Sequence, residues 1–253
     1  MEYVTLNNGV QMPKLGYGVY QTPLEETARC VLEAMEIGYR SIDTAQVYGN
    51  EAGVGRALEE SGLHREELFL TTKIWISNAG YEKAKASIAA SLEKLRTNYI
   101  DLLLIHQPFG DYYGSYRAIG VSNFYPDRYL DLTHFAEIPP AVNQVEMHVF
   151  QQQKTARTYL EQHNTQIMSW GPFAEGRNDY FRNPVLNAVG KAYGKTAAQV
   201  ALRFLLQSGA VVIPKSTHKE RMEENFQVFD FTLSEEDMVR IEALDKAKSL
   251  FFA

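Results

Sequence analysis

Residues 38–55 read GYRSIDTAQVYGNEAGVG. Tyr39 to Ile42 predict a short strand, followed by a loop carrying Asp43 and Tyr48 and a helix that starts near Asn50. A strand that delivers a carboxylate and a phenol at its C-terminal end has the layout of an enzyme built on a parallel sheet, where the loops after the strands hold the chemistry. Two later segments repeat this layout. TTKIW (71–75) puts Lys73 at the end of one strand, and DLLLIHQP (101–108) puts His106 at the end of the next. The four side chains meet only if the three strands are neighbours pointing the same way.

Working outward, Asn7-Asn8-Gly9 between Tyr3–Leu6 and Val10–Met12 predicts a small hairpin, because Asn and Gly tolerate positive φ. A Gly-rich first strand is expected over 15–20. Thr22-Pro23-Leu24-Glu25 reads as a helix start, with Thr as cap and Pro at the first position. Ala28, Val31, Leu32 and Met35 form one apolar helical face. Further strands are expected at 68–72, 100–105, 119–121, 141–145, 166–170 and 210–213. Helices are expected at 50–61, 81–96 and 127–134, on the face Ala156/Tyr159/Leu160/His163, after the capping box at Thr196–Gln199, and after Ser234. The near-continuous apolar run 100–105 fits a strand buried on both faces. Eight strands alternating with helices predict one (β/α)8 barrel domain over residues 1–253, with a doubly wound open sheet as the competitor.

The bulk properties narrow the function classes. Of 253 residues, 45% are hydrophobic and 22% charged, ordinary for a globular protein. A net charge of -6 argues against a general nucleic-acid binder. Cys30 is the single cysteine, so no internal disulfide forms, as in a reducing compartment. No signal peptide is read at the N-terminus and no apolar run approaches the ~18 residues of a membrane span. The six histidines show no metal-ligand spacing. A cytoplasmic monomer without metal, nucleic-acid or membrane partners is the expectation.

GYRSIDTAQVYGNE, TTKIW, LLLIHQP, IGVSNF, AVNQVE, SWGPF and IPKSTHKERMEEN together span nearly the whole chain. In these stretches the protein resembles the aldo-keto reductase family, in the branch of bacterial diketogluconate and methylglyoxal reductases and prostaglandin F synthases. The resemblance implies a TIM barrel, NADPH/NADP+ as cofactor, and reduction of aldehydes and ketones, here small polar carbonyls, α-ketoaldehydes or diketo sugars. It implies Asp43, Tyr48, Lys73 and His106 as catalytic residues. It implies Ser122, Asn123 and Gln144 near the nicotinamide carboxamide, and Trp170, beside Gly171, stacked on the ring. Lys215, Ser216 and Arg221 would hold the adenosine 2′-phosphate, with Glu224 and Asn225 at the adenine. Tyr20, Trp75, His106 and Phe109 would line the substrate pocket.

The residue chemistry agrees with that implication. Carbonyl reduction needs a proton for oxygen, and Tyr48 is a plausible acid, but a free phenol has a pKa of ~10. A lysine ~4 Å away at an effective dielectric of ~20 is worth ~4 kcal/mol, roughly three pKa units downward. Lys73 is expected to supply that field, Asp43 to hold Lys73, and His106 to orient the substrate oxygen. Leu15-Gly16-Tyr17-Gly18 lacks the third glycine of a Rossmann fingerprint, so the phosphate site is placed after the eighth strand. The cations there favour NADPH. His218, where relatives often carry arginine, softens the preference.

Two departures from the family pattern stand out. Only twelve residues separate His106 from Ile119. Extended, they reach ~40 Å, against ~17–20 Å for the return across a strand. The fourth outer helix is therefore expected to be missing or cut to one or two turns, unless residues of the natural molecule are absent from the chain. The chain also stops at SLFFA, so a more open pocket with weaker discrimination is expected. These departures keep a second reading alive: a nucleotide-binding barrel without turnover.

Overall fold

The alternation of strand and helix recurs in the computed structural model, which describes residues 1–106 and 118–251. A hairpin of β1 (Tyr3–Thr5) and β2 (Gln11–Pro13) comes first. Then follow β3 (Tyr17–Gly18), α1 (Thr27–Ile37), β4 (Ser41–Asp43), α2 (Glu51–Glu60), β5 (Phe69–Ile74), α3 (Tyr81–Lys94) and β6 (Leu102–Ile105). The second half holds β7 (Ala118–Ser122), α4 (Pro126–Phe135), β8 (Val142–Glu146), α5 (Lys154–Gln162) and β9 (Gln166–Trp170). It ends with α6 (Pro184–Tyr193), α7 (Ala197–Gln207), β10 (Val211–Val212), α8 (Lys219–Phe226) and α9 (Glu235–Glu242).

Strands β3 to β10 lie side by side in chain order, all parallel. A parallel bridge between Leu15 and Val212 joins the last strand to the first. The Gly16 N–H donates to Val212 O at 2.9 Å and the Gly18 N–H to Pro214 O at 3.2 Å. The architecture is a (β/α)8 barrel. The doubly wound alternative fails because its strand order must reverse at a switch point, and here it never does.

Side chains alternate along each strand, and this decides what the barrel interior holds. Phe69, Leu102, Leu104, Val142, Met168 and Val211 pack together inside, with Leu6 and Met12 of the hairpin against them. Leu103, one residue out of phase, packs outward with Ala84 of α3. On β4, Ile42 joins the outer layer between strands and helices, leaving Ser41 and Asp43 on the opposite phase. Space inside is tight. A Cβ on Gly120 would stand 2.7 Å from Val142 O, so β7 needs glycine there.

Several local expectations change. Residues 22–26 form turns, not the start of α1: the Glu26 N–H donates to Pro23 O and the Thr27 N–H to Leu24 O. The Thr27 hydroxyl donates to Pro23 O at 2.9 Å, and the i→i+4 ladder opens only with Cys30 N–H to Glu26 O. The first barrel strand shrinks to Tyr17–Gly18. Helix α6 had no counterpart in the sequence reading, although its signals are present: Asn183 Oδ1 accepts from the Val185 and Leu186 N–H groups, Pro184 sits at the first turn, and Gly194 ends it at φ 65°. The caps at Thr196 and Ser234 form as expected. The reduced fourth outer helix falls on residues 107–117, outside the described residues. Among the described residues no helix is long and apolar enough to cross a membrane, and no cluster of metal-ligating side chains occurs.

Candidate active site

Asp43, Lys73 and His106 sit at the C-terminal ends of β4, β5 and β6, and Tyr48 in the short 3-10 turn Gln46–Tyr48 after β4. Adjacent parallel strands therefore bring all four to one rim. Lys73 Nζ donates to Asp43 Oδ1 at 2.5 Å, to Thr44 O at 2.9 Å and to the Tyr48 hydroxyl at 3.5 Å. The Tyr48 ring meets the His106 ring edge-on, with centroids 5.8 Å apart. Tyr20 lies 5.0 Å from Tyr48, and Trp75 5.2 Å from His106, both by centroids. Phe109 lies outside the described residues.

Lys73 is 0% exposed and Asp43 2%. Burial alone would lower the ammonium's pKa, but the Asp43 carboxylate and the Tyr48 hydroxyl together outweigh it and the lysine is held above its ordinary value. The other Asp43 oxygen accepts from Gln144 Nε2 at 2.8 Å. Gln144, expected at the carboxamide, thus also fastens the ion pair, a contact the sequence reading missed.

Tyr48 corrects the electrostatic expectation. Its pKa is raised, because burial of the phenol outweighs the lowering by Lys73, and Asp43 adds to the rise. Lys73 does not act on the phenol as a bare cation. With Asp43 at 2.5 Å, the field at the hydroxyl is that of an ion pair, which falls off faster.

His106 is pushed down to about 3, first by burial and then by Lys73. It is neutral at ordinary pH, and its Nδ1 is buried with no hydrogen-bond partner among the described residues. A neutral imidazole offers one donor without being an acid. The depressed value also sets a stability trend. Below about pH 6.5 the unfolded chain takes up a proton that folded His106 refuses, so stability falls as pH drops towards 3. Urea denaturation at pH 7 and pH 5 should show wild type losing roughly 1–2 kcal/mol more than His106→Gln over that interval. Identical losses in the two proteins would remove burial of the neutral ring as the cause.

The cofactor residues fall in two groups. At the rim, Asn123, at φ 61°, accepts through Oδ1 from Trp170 Nε1 at 2.8 Å. Ser122 is buried beside it, and Gly171 takes φ 62°. Beyond β10, Lys215 and Arg221 are exposed, while the buried Ser216 accepts the His218 N–H at the start of α8. Asn225 is buried. Glu224 Oε1 accepts from Thr196 Oγ1 at 2.6 Å, so part of its carboxylate serves the cap of α7. An aromatic face at the rim and two exposed cations near a helix start suit a dinucleotide with a phosphate at its far end.

A latch absent from the sequence reading lies next to Trp170. Glu146 and His148 are fully buried and paired at 3.0 Å. Glu146 also accepts from Ser249 Oγ at 2.5 Å and from the Leu250 N–H at 2.9 Å. This draws the segment after α9 across the rim and sets Phe251 edge-on to Trp170, centroids 5.1 Å apart. The expected open pocket is therefore flanked by chain on this side.

The Aldo/keto reductase family model matches residues 12–246. The chain is 46% identical to the 9,11-endoperoxide prostaglandin H2 reductase of Trypanosoma cruzi, over 98% of this chain and 93% of the relative. It is 45% identical to the glyoxal reductase of Bacillus subtilis, over 96% and 92%. The T. cruzi alignment runs over 262 positions, more than the 253 residues present, so the relative carries positions without a counterpart here. Among solved structures, an aldo-keto reductase from a Medee basin deep-sea metagenome library superposes with a TM-score of 0.94 at 41% identity, covering 98% of this chain and 97% of the other. The Bombyx mori aldo-keto reductase in complex with NADP gives 0.91 at 31%, covering 98% and 94%.

Proposed function

This chain belongs to the aldo/keto reductase family, and on that premise we propose that Tyr48 is the proton donor in the reduction of small polar aldehydes, α-ketoaldehydes above all. The protein is an oxidoreductase that converts carbonyl groups to alcohols with NADPH. NADPH, when bound, supplies the hydride that goes to the carbonyl carbon. Tyr48 gives its proton to the carbonyl oxygen, and His106, neutral, donates a hydrogen bond to that oxygen and fixes its direction. Lys73 faces the hydroxyl and favours the negative charge left on it; Asp43 and Gln144 keep Lys73 in place. The single observation that supports this most is the contact of Lys73 Nζ with both Asp43 and the Tyr48 hydroxyl. It also favours turnover over a barrel that only binds nucleotide.

Ser122, Asn123, Trp170 and Gly171 are proposed to hold the nicotinamide end, with the free oxygen of Gln144. Lys215, Ser216 and Arg221 are proposed to hold the 2′-phosphate, with Glu224 and Asn225 at the adenine. Tyr20 and Trp75 flank the substrate. We further propose a single-domain cytoplasmic monomer that acts on small molecules and binds no nucleic acid.

The test is NADPH oxidation on adding methylglyoxal. Turnover supports the reading, and cofactor binding without turnover would refute it. The double variant Lys215→Ala/Arg221→Ala should raise the KM for NADPH roughly tenfold or more while leaving NADH nearly unaffected, because only NADPH carries the phosphate those cations would meet. Equal changes for both cofactors would move the phosphate site elsewhere.

A further inference from the structure

Gln46 is the residue of the Asp43–Tyr48 loop that the proposed chemistry leaves unused. It opens the 3-10 turn that ends in Tyr48. Its side chain points away from the acid and binds the loop after β5. Gln46 Oε1 accepts from the Trp75 N–H at 3.0 Å and from Asn78 Nδ2 at 2.9 Å. Its Nε2 donates to Ser91 Oγ, buried in α3, at 3.1 Å. The orientation of the amide is not arbitrary: a backbone N–H only donates, so the atom facing Trp75 must be the oxygen.

Among the described residues, little else holds the loop. The remaining hydrogen bonds of residues 75–79 among them stay inside the turn, from the Asn78 N–H to Trp75 O and from the Ala79 N–H to Ile76 O. Ile76 and Ser77 are exposed. Yet this loop carries Trp75, whose ring stands edge-on to His106 at 5.2 Å. One side chain therefore couples the turn that presents Tyr48 to the loop that presents Trp75.

We infer that Gln46 is a positioning residue that sets where Trp75 stands over the approach to Tyr48, and so sets how tightly the carbonyl substrate is held. This rests on the reading of Trp75 as a wall of the substrate site. Among the described residues, the Gln46 side chain hydrogen-bonds to none of the proposed catalytic or cofactor-binding side chains. Its removal should act on substrate affinity and leave the chemical step and NADPH binding alone.

The experiment compares Gln46→Ala and Gln46→Glu with wild type in the full chain, using NADPH and methylglyoxal. Amide hydrogen exchange over residues 74–80 is measured in parallel. A glutamate keeps an acceptor facing Trp75 and Asn78, and its second oxygen accepts from the Ser91 hydroxyl, so it restores the clamp that alanine removes. Loss of the three neutral hydrogen bonds of the Gln46 side chain, two of them to the loop, should raise the KM for methylglyoxal about tenfold in the alanine variant, with kcat within about threefold and NADPH affinity unchanged. Exchange at the Trp75 amide should speed up in the alanine variant and return towards wild type with glutamate. Unchanged exchange in Gln46→Ala overturns the clamp. Faster exchange with an unchanged KM, or an equal rise in KM for both variants, overturns the role in substrate binding while leaving the proposed reaction standing. No carbonyl reduction by wild type overturns the proposed reaction and the substrate role together, and exchange then judges the clamp alone. If the alanine variant does not fold, Gln46→Leu, which fills the space without an acceptor, is read in its place.

Discussion

Tyr48→Phe is expected to lower kcat for carbonyl reduction by ~10²–10⁴-fold, the range contributed by a positioned general acid, while NADPH affinity and folding stay near wild type. The structure explains the separation. Without the hydroxyl, Lys73 keeps its two shorter contacts, to Asp43 Oδ1 at 2.5 Å and Thr44 O at 2.9 Å, so no buried charge loses its main partner. The ring remains against Tyr20 and His106. Nor can the neighbouring histidine take over, because burial and Lys73 hold it near a pKa of about 3, leaving almost no imidazolium at neutral pH. His106→Gln, which retains a donor, should therefore be the milder of the two variants. Because the phenol's pKa is raised by burial, Tyr48 of the cofactor-free protein should ionise at higher pH than an ordinary tyrosine. Single-turnover rates with methylglyoxal decide the matter: rates in Tyr48→Phe within about threefold of wild type would remove Tyr48 as the acid.

The largest expected effect on stability comes from Lys73→Met. It replaces a fully buried ammonium with a side chain of similar length and strands the Asp43 carboxylate, 2% exposed, with Gln144 as its remaining side-chain partner. Removing one member of a buried ion pair typically costs about 3–5 kcal/mol, because the survivor has lost both water and counter-charge. For a chain of this size each kcal/mol shifts Tm by roughly 2–4 °C, so a fall of roughly ten degrees is expected. The double variant Asp43→Asn/Lys73→Met should recover much of it, since it removes both charges and keeps an amide for Gln144 to meet. Both proteins should be inactive whatever their stability. A Lys73→Met protein melting within about 2 °C of wild type would mean that the pair is solvated in solution and not the buried contact seen here.

These expectations draw unequally on the sequence. The strand ends carrying Asp43, Lys73 and His106 were legible because a parallel strand buried on both faces is a short apolar run, and a polar residue closing it marks the rim. The caps at Thr196 and Ser234 were legible because capping is local chemistry within four residues. The start of α1 was misread for the same local reason. Thr22-Pro23 satisfies the pattern of a cap, but the i→i+3 bonds and Thr27 Oγ1 satisfy those backbone groups in a turn instead.

The sequence by itself determined the alternation of strands and helices and the side chains that close the strands at 43, 73 and 106, since both follow from period, spacing and residue type along neighbouring positions. It left the barrel and a doubly wound sheet both open, and the unbroken parallel strand order closed by the Leu15–Val212 bridge decided between them. Tertiary structure alone decided the balance of forces on those side chains. The burial that raises Tyr48 against the field of Lys73, the hand of Gln144 on Asp43 from 101 residues away, the clamp of Gln46 on Trp75, and the Glu146 latch on Ser249 and Leu250 each depend on which distant atoms displace water from a charged or polar group. Desolvation is a property of the closed volume around an atom, and no stretch of chain carries it before the barrel shuts.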